Sequence, residues 1–262
     1  MSDKGGVHEG VRCLLSPTSK PISDRSCSVD EFLQQGGWPE MRINMTGKLM
    51  VAWGLLIGAQ NTWAADIAFS AREMAAWETR SFEGETRYTV VRDNGAEVLE
   101  ANARGQASAK YLEREVDLSE TPYLHWCWKV DTRYAGLDER TQAGDDYPAR
   151  LYVARKTGLL PWQVQSVNYV WSSNQAVGAR WPNAFTDRAM LLALQGERSP
   201  VSEWRAEVRD VSADYQALFG EAASEIDGVA LMSDGDNAGG DATARYYGVG
   251  FSDSPTPPDC PG

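Results

Sequence analysis

Two short stretches hold the densest chemistry in the chain: GDDYPARLY at residues 144–152 and SDGDNAGGD at 233–241. In the first, the adjacent carboxylates Asp145 and Asp146 precede Arg150 and Tyr152. Neighbouring side chains in an extended segment point to opposite faces, so only one of the two acids turns easily to the side of Arg150. Two readings follow. One is a buried Asp–Arg pair that pins the loop; the other is a ligand site using Asp145, Asp146, Arg150 and Tyr152. In the second stretch Asp234, Asp236, Asn237 and Asp241 place oxygen donors among glycines, chemistry that suits a hard cation such as calcium. The pattern lacks the glutamate that closes an EF-hand loop. The same residues also serve an ordinary turn between strands.

Aromatic and acidic residues offer further chemistry. Trp162 and Trp181 stand beside Pro161 and Pro182 in segments that read as loops, and are expected to be exposed. A flat aromatic face with a polar rim suits stacking on a sugar ring. Glu203, Glu207, Asp146 and Asp236 are the carboxylates available for a glycosidase pair, which needs a separation of about 5 to 9 Å; nothing in their spacing brings any two together. His125 is the single histidine after residue 64, which removes hydrolase triads and most zinc sites. Its place within a strand suits a structural role. Cys127 and Cys260 are the only cysteines in the same region, either bridged or as one buried and one tail thiol.

Short alternating or β-branched segments separated by Gly, Asn, Asp and Pro must position these residues. Segments 87–92 and 96–103 flank Asp93-Asn94-Gly95, a hairpin signal because Asn-Gly accepts positive φ. The run YLHWCWKV at 123–130 sets Leu124, Trp126, Trp128 and Val130 on one face, expected in the core, with His125, Cys127 and Lys129 opposite. Segments 150–155 and 164–171 read as two strands, with Val167, Tyr169 and Trp171 sharing a face. Segments 185–194, 202–208, 226–232 and 245–251 read as four more. One helix is expected, capped by Ser212 and stopped at Gly220. So many short strands without alternating helices predict an all-β, two-layer sandwich with one short helical insert.

The segment from Met41 carries Arg42 and Lys48 ahead of an apolar run that ends in small residues near Ala64 and Ala65, the pattern of a cleavable secretory signal. The run is shorter than the roughly 20 residues of a membrane span, so no stable membrane insertion is expected after cleavage. Residues 1–40 then form a mis-assigned or disordered leader, 41–64 the signal, 65–252 one sandwich domain and 253–262 a proline-rich tail. The periplasm or the exterior is the expected location. A net charge of −12 repels phosphate backbones and anionic surfaces and argues against nucleic acid.

Taken in order, the motifs WCWKVD, GDDYPARLYV, VNYVW, WRAEVRDVSADYQALFG, IDGVALMSDGDN and ARYYGVGF resemble an exported bacterial family, domain of unknown function 3047, over roughly residues 77–251. The resemblance implies a jelly-roll sandwich of galactose-binding-like form and marks Asp145, Asp146, Arg150, Asp234, Asp236 and Asn237, without assigning them a role. The leading expectation is a glycan-binding sandwich using Trp162, Trp181, Arg150, Tyr152 and the acidic loops. A carbohydrate-active hydrolase or lyase and a purely structural envelope protein are the alternatives.

Overall fold

Alternating apolar residues, each pair too short to bury itself, are resolved here into two packed sheets. A computed structural model describes residues 67–160, 163–237 and 239–262; the leader at 1–40 and the signal at 41–64 lie outside them. One sheet runs in the order β2 (Glu78–Glu83), β5 (Ala107–Asp117), β12 (Glu225–Asp234), β7 (Ala149–Lys156), β8 (Val164–Trp171), β10 (Ala189–Gln195), β9 (Arg180–Pro182). The other runs β11 (Arg205–Asp210), β6 (Tyr123–Val130), β13 (Asp241–Ser252), β4 (Ala96–Arg104), β3 (Arg87–Asp93), with β1 (Ile67–Phe69) also paired to β13. Pairing is antiparallel except between β8 and β10. The protein is therefore a two-layer β-sandwich, as the strand pattern predicts.

The core forms where the alternation of the two sheets meets. Leu124, Trp126, Trp128 and Val130 on β6 face Val167, Tyr169 and Trp171 on β8, all fully buried. Trp126 lies 5.4 Å from Tyr169 and Trp128 lies 5.7 Å from Trp171, centroid to centroid. Such pairs add roughly 0.5–1.5 kcal/mol each beyond area burial. The predicted hairpin forms with Asp93 opposite Ala96 and with Asn94 and Gly95 at φ 47° and 85°, the positive pair a type I′ turn requires.

Several boundaries differ from expectation for local reasons. The helical insert α2 (Val211–Phe219, following α1, Ala71–Ala76) is capped by Asp210, not Ser212. Asp210 is extended and accepts from the Ala213 amide at 2.9 Å, whereas the Ser212 hydroxyl donates to the Ala223 carbonyl. Gly220 ends the helix at φ 79°, as predicted. Strand β10 starts only at Ala189, because Asn183 and Thr186 turn the chain by accepting from the Phe185 and Arg188 amides. Strand β11 starts at Arg205, after Ser202 takes a positive φ of 61°. Strands β2, β5 and β9 and helix α1, which a Ser70–Glu73 capping box opens, have no counterpart in the sequence reading. Cys127 and Cys260 are bridged by a disulfide across a separation of 133 residues.

Candidate functional site

Along β7, Ala149, Leu151 and Val153 enter the core, so Arg150 and Tyr152 point to the opposite, outer face of the seven-stranded sheet. On the neighbouring β12, Met232 is registered opposite Arg150, and Asp234 follows two residues later on the same face. This register delivers a carboxylate to the guanidinium: Arg150 Nε donates to Asp234 Oδ1 at 3.0 Å and Nη2 donates to Oδ2. Asp145 completes the arrangement, its carboxylate accepting from Nη1 at 3.4 Å and its carbonyl from Nη2. The ring of Tyr147 lies under the guanidinium, 4.2 Å from centroid to Cζ, while its amide donates to Asp234. All three charged groups are buried. Burial alone lowers the pKa of Arg150, but the combined attraction of Asp234, Tyr152 and Asp145 outweighs it and holds the guanidinium protonated. Burial also pushes the Asp145 carboxyl up, with Arg150 and Asn183 opposing it.

Of the adjacent acids Asp145 faces Arg150; both lie in the irregular segment before β7, where strand alternation does not set their directions. Asp146 turns the other way and accepts from the Asn237 main-chain and side-chain nitrogens at 3.2 and 3.3 Å. Carboxylate oxygens of Asp146, Asp234 and Asp236 lie within 4.8 Å of one another. Asp236 is half-buried, and burial followed by the nearby Asp146 charge pushes its pKa up to about 6. The turn holding Asp236 is closed by Tyr134, which donates to the Asp234 carbonyl at 2.5 Å. A Cβ at Gly235 would meet the Gly240 carbonyl oxygen at 2.5 Å and Tyr134 Oη at 2.7 Å, so side chains are excluded there.

The structure therefore unites two acidic segments that are remote in sequence and corrects two expectations. Asp241 leaves the acidic set: it opens β13 in the other sheet, opposite Arg104, because the strands extend into the loop from both ends. Trp181 is buried, not exposed. It occupies β9, pairs with Leu191 and stacks on Tyr147 at 6.4 Å. Asn237 serves as a donor to Asp146. Trp162 lies outside the described residues. Glu203 is exposed and paired with Arg205 at 2.9 Å. Glu207 on β11 accepts from Trp128 Nε1 at 3.0 Å and Gln195 Nε2 at 2.6 Å. Neither joins Asp146 and Asp236. His125 sets Nδ1 3.2 Å from the Gly248 carbonyl.

A feature missed in the sequence is the row that the register builds across the outer face. Glu78, Tyr111, Ala230, Tyr152, Asn168, Leu191 and Trp181 follow one another in direct cross-strand contact from β2 to β9. Tyr111 donates to Glu78 at 2.7 Å, and Tyr152 contacts Met232 Sδ at 3.4 Å. Alternation in VQSVNYVW was the available signal, since it places Ser166 and Asn168 opposite the core residues Val167 and Tyr169. Finding their neighbours required the pairing.

Residues 75–249 match the family model described as "Protein of unknown function (DUF3047)". No curated protein matches. Among similar solved structures, a cellulase derived from Cel12A of Rhodothermus marinus is 9% identical, with a TM-score of 0.38, covering 72% of this chain and 98% of that one. The xyloglucanase domain of NopAA from Sinorhizobium fredii, in complex with cellobiose, is 9% identical, with a TM-score of 0.35 and coverage of 71% and 99%. An exo-β-agarase is 10% identical, with a TM-score of 0.31 and coverage of 74% and 26%. All three are distant likenesses.

Proposed function

We propose that this chain, which belongs to the DUF3047 family, is an exported glycan-binding sandwich whose ligand surface is the outer face of the seven-stranded sheet. The observation that carries this reading is the cross-strand pairing of Tyr111 and Tyr152 across Ala230, the two rings that keep some exposure on this face, with the exposed Glu78 beside them; Trp181, stacked on Tyr147 and buried, takes no part. Flat aromatic rings match the apolar faces of sugars, and polar neighbours match their hydroxyl rims. From β2 to β7 the row crosses four strands spaced about 4.8 Å apart, roughly 14 Å, room for a short oligosaccharide. Small residues, Ala107, Ala109 and Ala230, form the floor beside the tyrosines. The Cys127–Cys260 bridge favours an oxidising compartment, in keeping with export. The net charge of −12 favours neutral over acidic glycans.

Calorimetric titration with neutral oligosaccharides of several linkages tests the reading. Binding by the native chain, weakened at least tenfold in Tyr152→Ala with the fold retained, is the expected result. No binding to any member of a broad panel overturns it.

A second reading concerns the carboxylates at the end of this face. Asp146, Asp234 and Asp236 are oxygen donors of the kind calcium takes. Asp234 is already engaged through both oxygens by Arg150, so Asp146 and Asp236 would be the main ligands. A melting temperature raised by millimolar calcium, reversed by EDTA and abolished in Asp236→Ala, supports a metal site; an unchanged melting temperature removes it.

A further inference from the structure

We infer that β3 is a docking edge for a second copy of this chain, the two copies pairing β3 against β3 antiparallel with Arg87 of each opposite Asp93 of the other. Strand β3 ends the six-stranded sheet and is paired on one side, to β4. None of its seven residues is buried, whereas four of the nine on β4 are. Helix α1 leaves this edge open. Its Met74 enters the core, and Arg72 reaches Glu97 of β4 at 2.9 Å. Glu97 shares its face with the core residues Leu99 and Ala101, so the helix packs on the inner face of the hairpin.

An edge strand carries a row of unpaired main-chain groups, and folded chains blunt such edges with charge, proline or brevity. The other three edges are blunted. Strand β9 has three residues and includes Pro182. Strand β2 has exposed Glu78 and Glu83 at its ends, which an antiparallel copy would set against each other. On β11, Arg205 is taken by Glu203 and Arg209 by Asp214, while Asp210 caps α2.

Strand β3 is instead self-complementary. In an antiparallel pair centred on Val90, RYTVVRD meets its own copy with Arg87 opposite Asp93, Tyr88 opposite Arg92 and Thr89 opposite Val91. These are an ion pair, a cation beside an aromatic ring and a β-branched pair, and twofold symmetry makes each of them twice. Arg87 is exposed and, among the described residues, has no carboxylate partner. Asp93 belongs to a network short of positive charge: Asp93, Glu100 and Asp131 share the two cations Lys129 and Arg245, with Arg245 2.9 Å from Glu100 and 3.0 Å from Asp131. Arg87 of the second copy supplies the missing cation. Seven paired residues make a contact about 24 Å long, too small for an obligate dimer. The association is therefore weak and depends on concentration.

Sedimentation velocity on the full chain between about 1 and 200 μM, with hydrogen exchange of residues 87–93 over the same range, decides the matter. The expected result is a monomer at the low end and a dimer at the high end, with β3 amides exchanging more slowly as concentration rises. Arg87→Glu, which sets like charge against Asp93, should weaken the dimer at least tenfold, and Arg87→Lys should hold it within about threefold. Because Arg87 is exposed, both variants should melt within a few degrees of native. A chain that stays monomeric throughout overturns the inference, as does a dimer that Arg87→Glu leaves intact or one in which β3 exchange is independent of concentration. Strand β3 lies in the six-stranded sheet, so neither outcome bears on the glycan surface of the other sheet.

Discussion

Arg150 and Asp234 lie on adjacent antiparallel strands, joined by two parallel hydrogen bonds on the outer side of the sheet, and both are withdrawn from solvent. The pair fixes the end of β12 to the start of β7, and through the Asp145 carbonyl it also fixes the loop before β7. Loss of Arg150 leaves both Asp234 and Asp145 buried without their cation, and loss of Asp234 leaves the buried guanidinium with Asp145 as its one carboxylate partner. Asp234→Ala and Arg150→Met should each cost about 3–5 kcal/mol in denaturant unfolding. The double variant should cost less than the sum, because Asp145 is then the one carboxylate of the pair of acids left without the cation. Additive losses would show that the two residues act independently.

The bridge between Cys127 and Cys260 closes a loop long enough to restrict the unfolded chain strongly. Cys260→Ser should lower stability by about 4 kcal/mol, which for a domain of this size moves the melting temperature down on the order of 10 °C. Calorimetry with and without reductant checks this: reductant should move the native chain to the value of the variant and leave the variant unmoved.

Glu207 should make stability depend on pH in an identifiable direction. Burial raises its pKa, with hydrogen bonds from Gln195 and Trp128 opposing but not cancelling the effect. The protonated acid is therefore favoured in the folded state. Its stabilising contribution is complete below the unfolded carboxylate value, about 4.3, and is lost as pH rises through the higher folded value. Glu207→Gln accepts the same two hydrogen bonds without a charge to bury. The melting temperature of this variant minus that of the native chain should grow from about pH 4 toward neutrality; a difference that stays flat or shrinks contradicts the placement.

Gly235 tests how tightly the acidic turn is closed. An added Cβ meets a main-chain carbonyl, Gly240 O, which cannot swing away as a flexible side chain would. Gly235→Ala should cost about 1–3 kcal/mol by overpacking. Tyr134→Ala in the same chain should recover only part of the loss, since it removes the phenol but leaves the carbonyl. Full recovery would assign the restraint to Tyr134 alone.

Local signals carried much of the fold. Asn94-Gly95 declared its hairpin because few other dipeptides accept two positive φ values, and the Leu-x-Trp-x-Trp-x-Val alternation declared a core-facing strand. Strand β5 was hidden because its second half, LEREVD, runs along the sheet edge with Glu113, Arg114 and Glu115 blurring the alternation. At the site, local geometry made it legible that one acid of Asp145 and Asp146 would turn to Arg150, but not which one, because both lie in the irregular segment before β7. The arrival of Asp234 beside Arg150 was not legible, because it depends on the register of two strands whose paired residues are 84 apart in sequence. Trp181 was misread for a related reason: a neighbouring proline marks an irregular chain but says nothing about Tyr147, which comes from another segment to cover the indole.

The order of strands also constrains how the molecule can be made. The last strand, β13, sits between β6 and β4, and the one before it, β12, sits between β5 and β7. Both sheets are thus completed through their middles by the final third of the chain, and no earlier fragment contains a continuous half of the sandwich. The hairpin of β3 and β4 has no strand bond to the pair of β6 and β11 until β13 joins them. Such non-local closure is slow and cooperative, so the sheets close only once β12 and β13 are available, and a chain stopped short of β13 would be left with two open sheet edges, on β4 and β6.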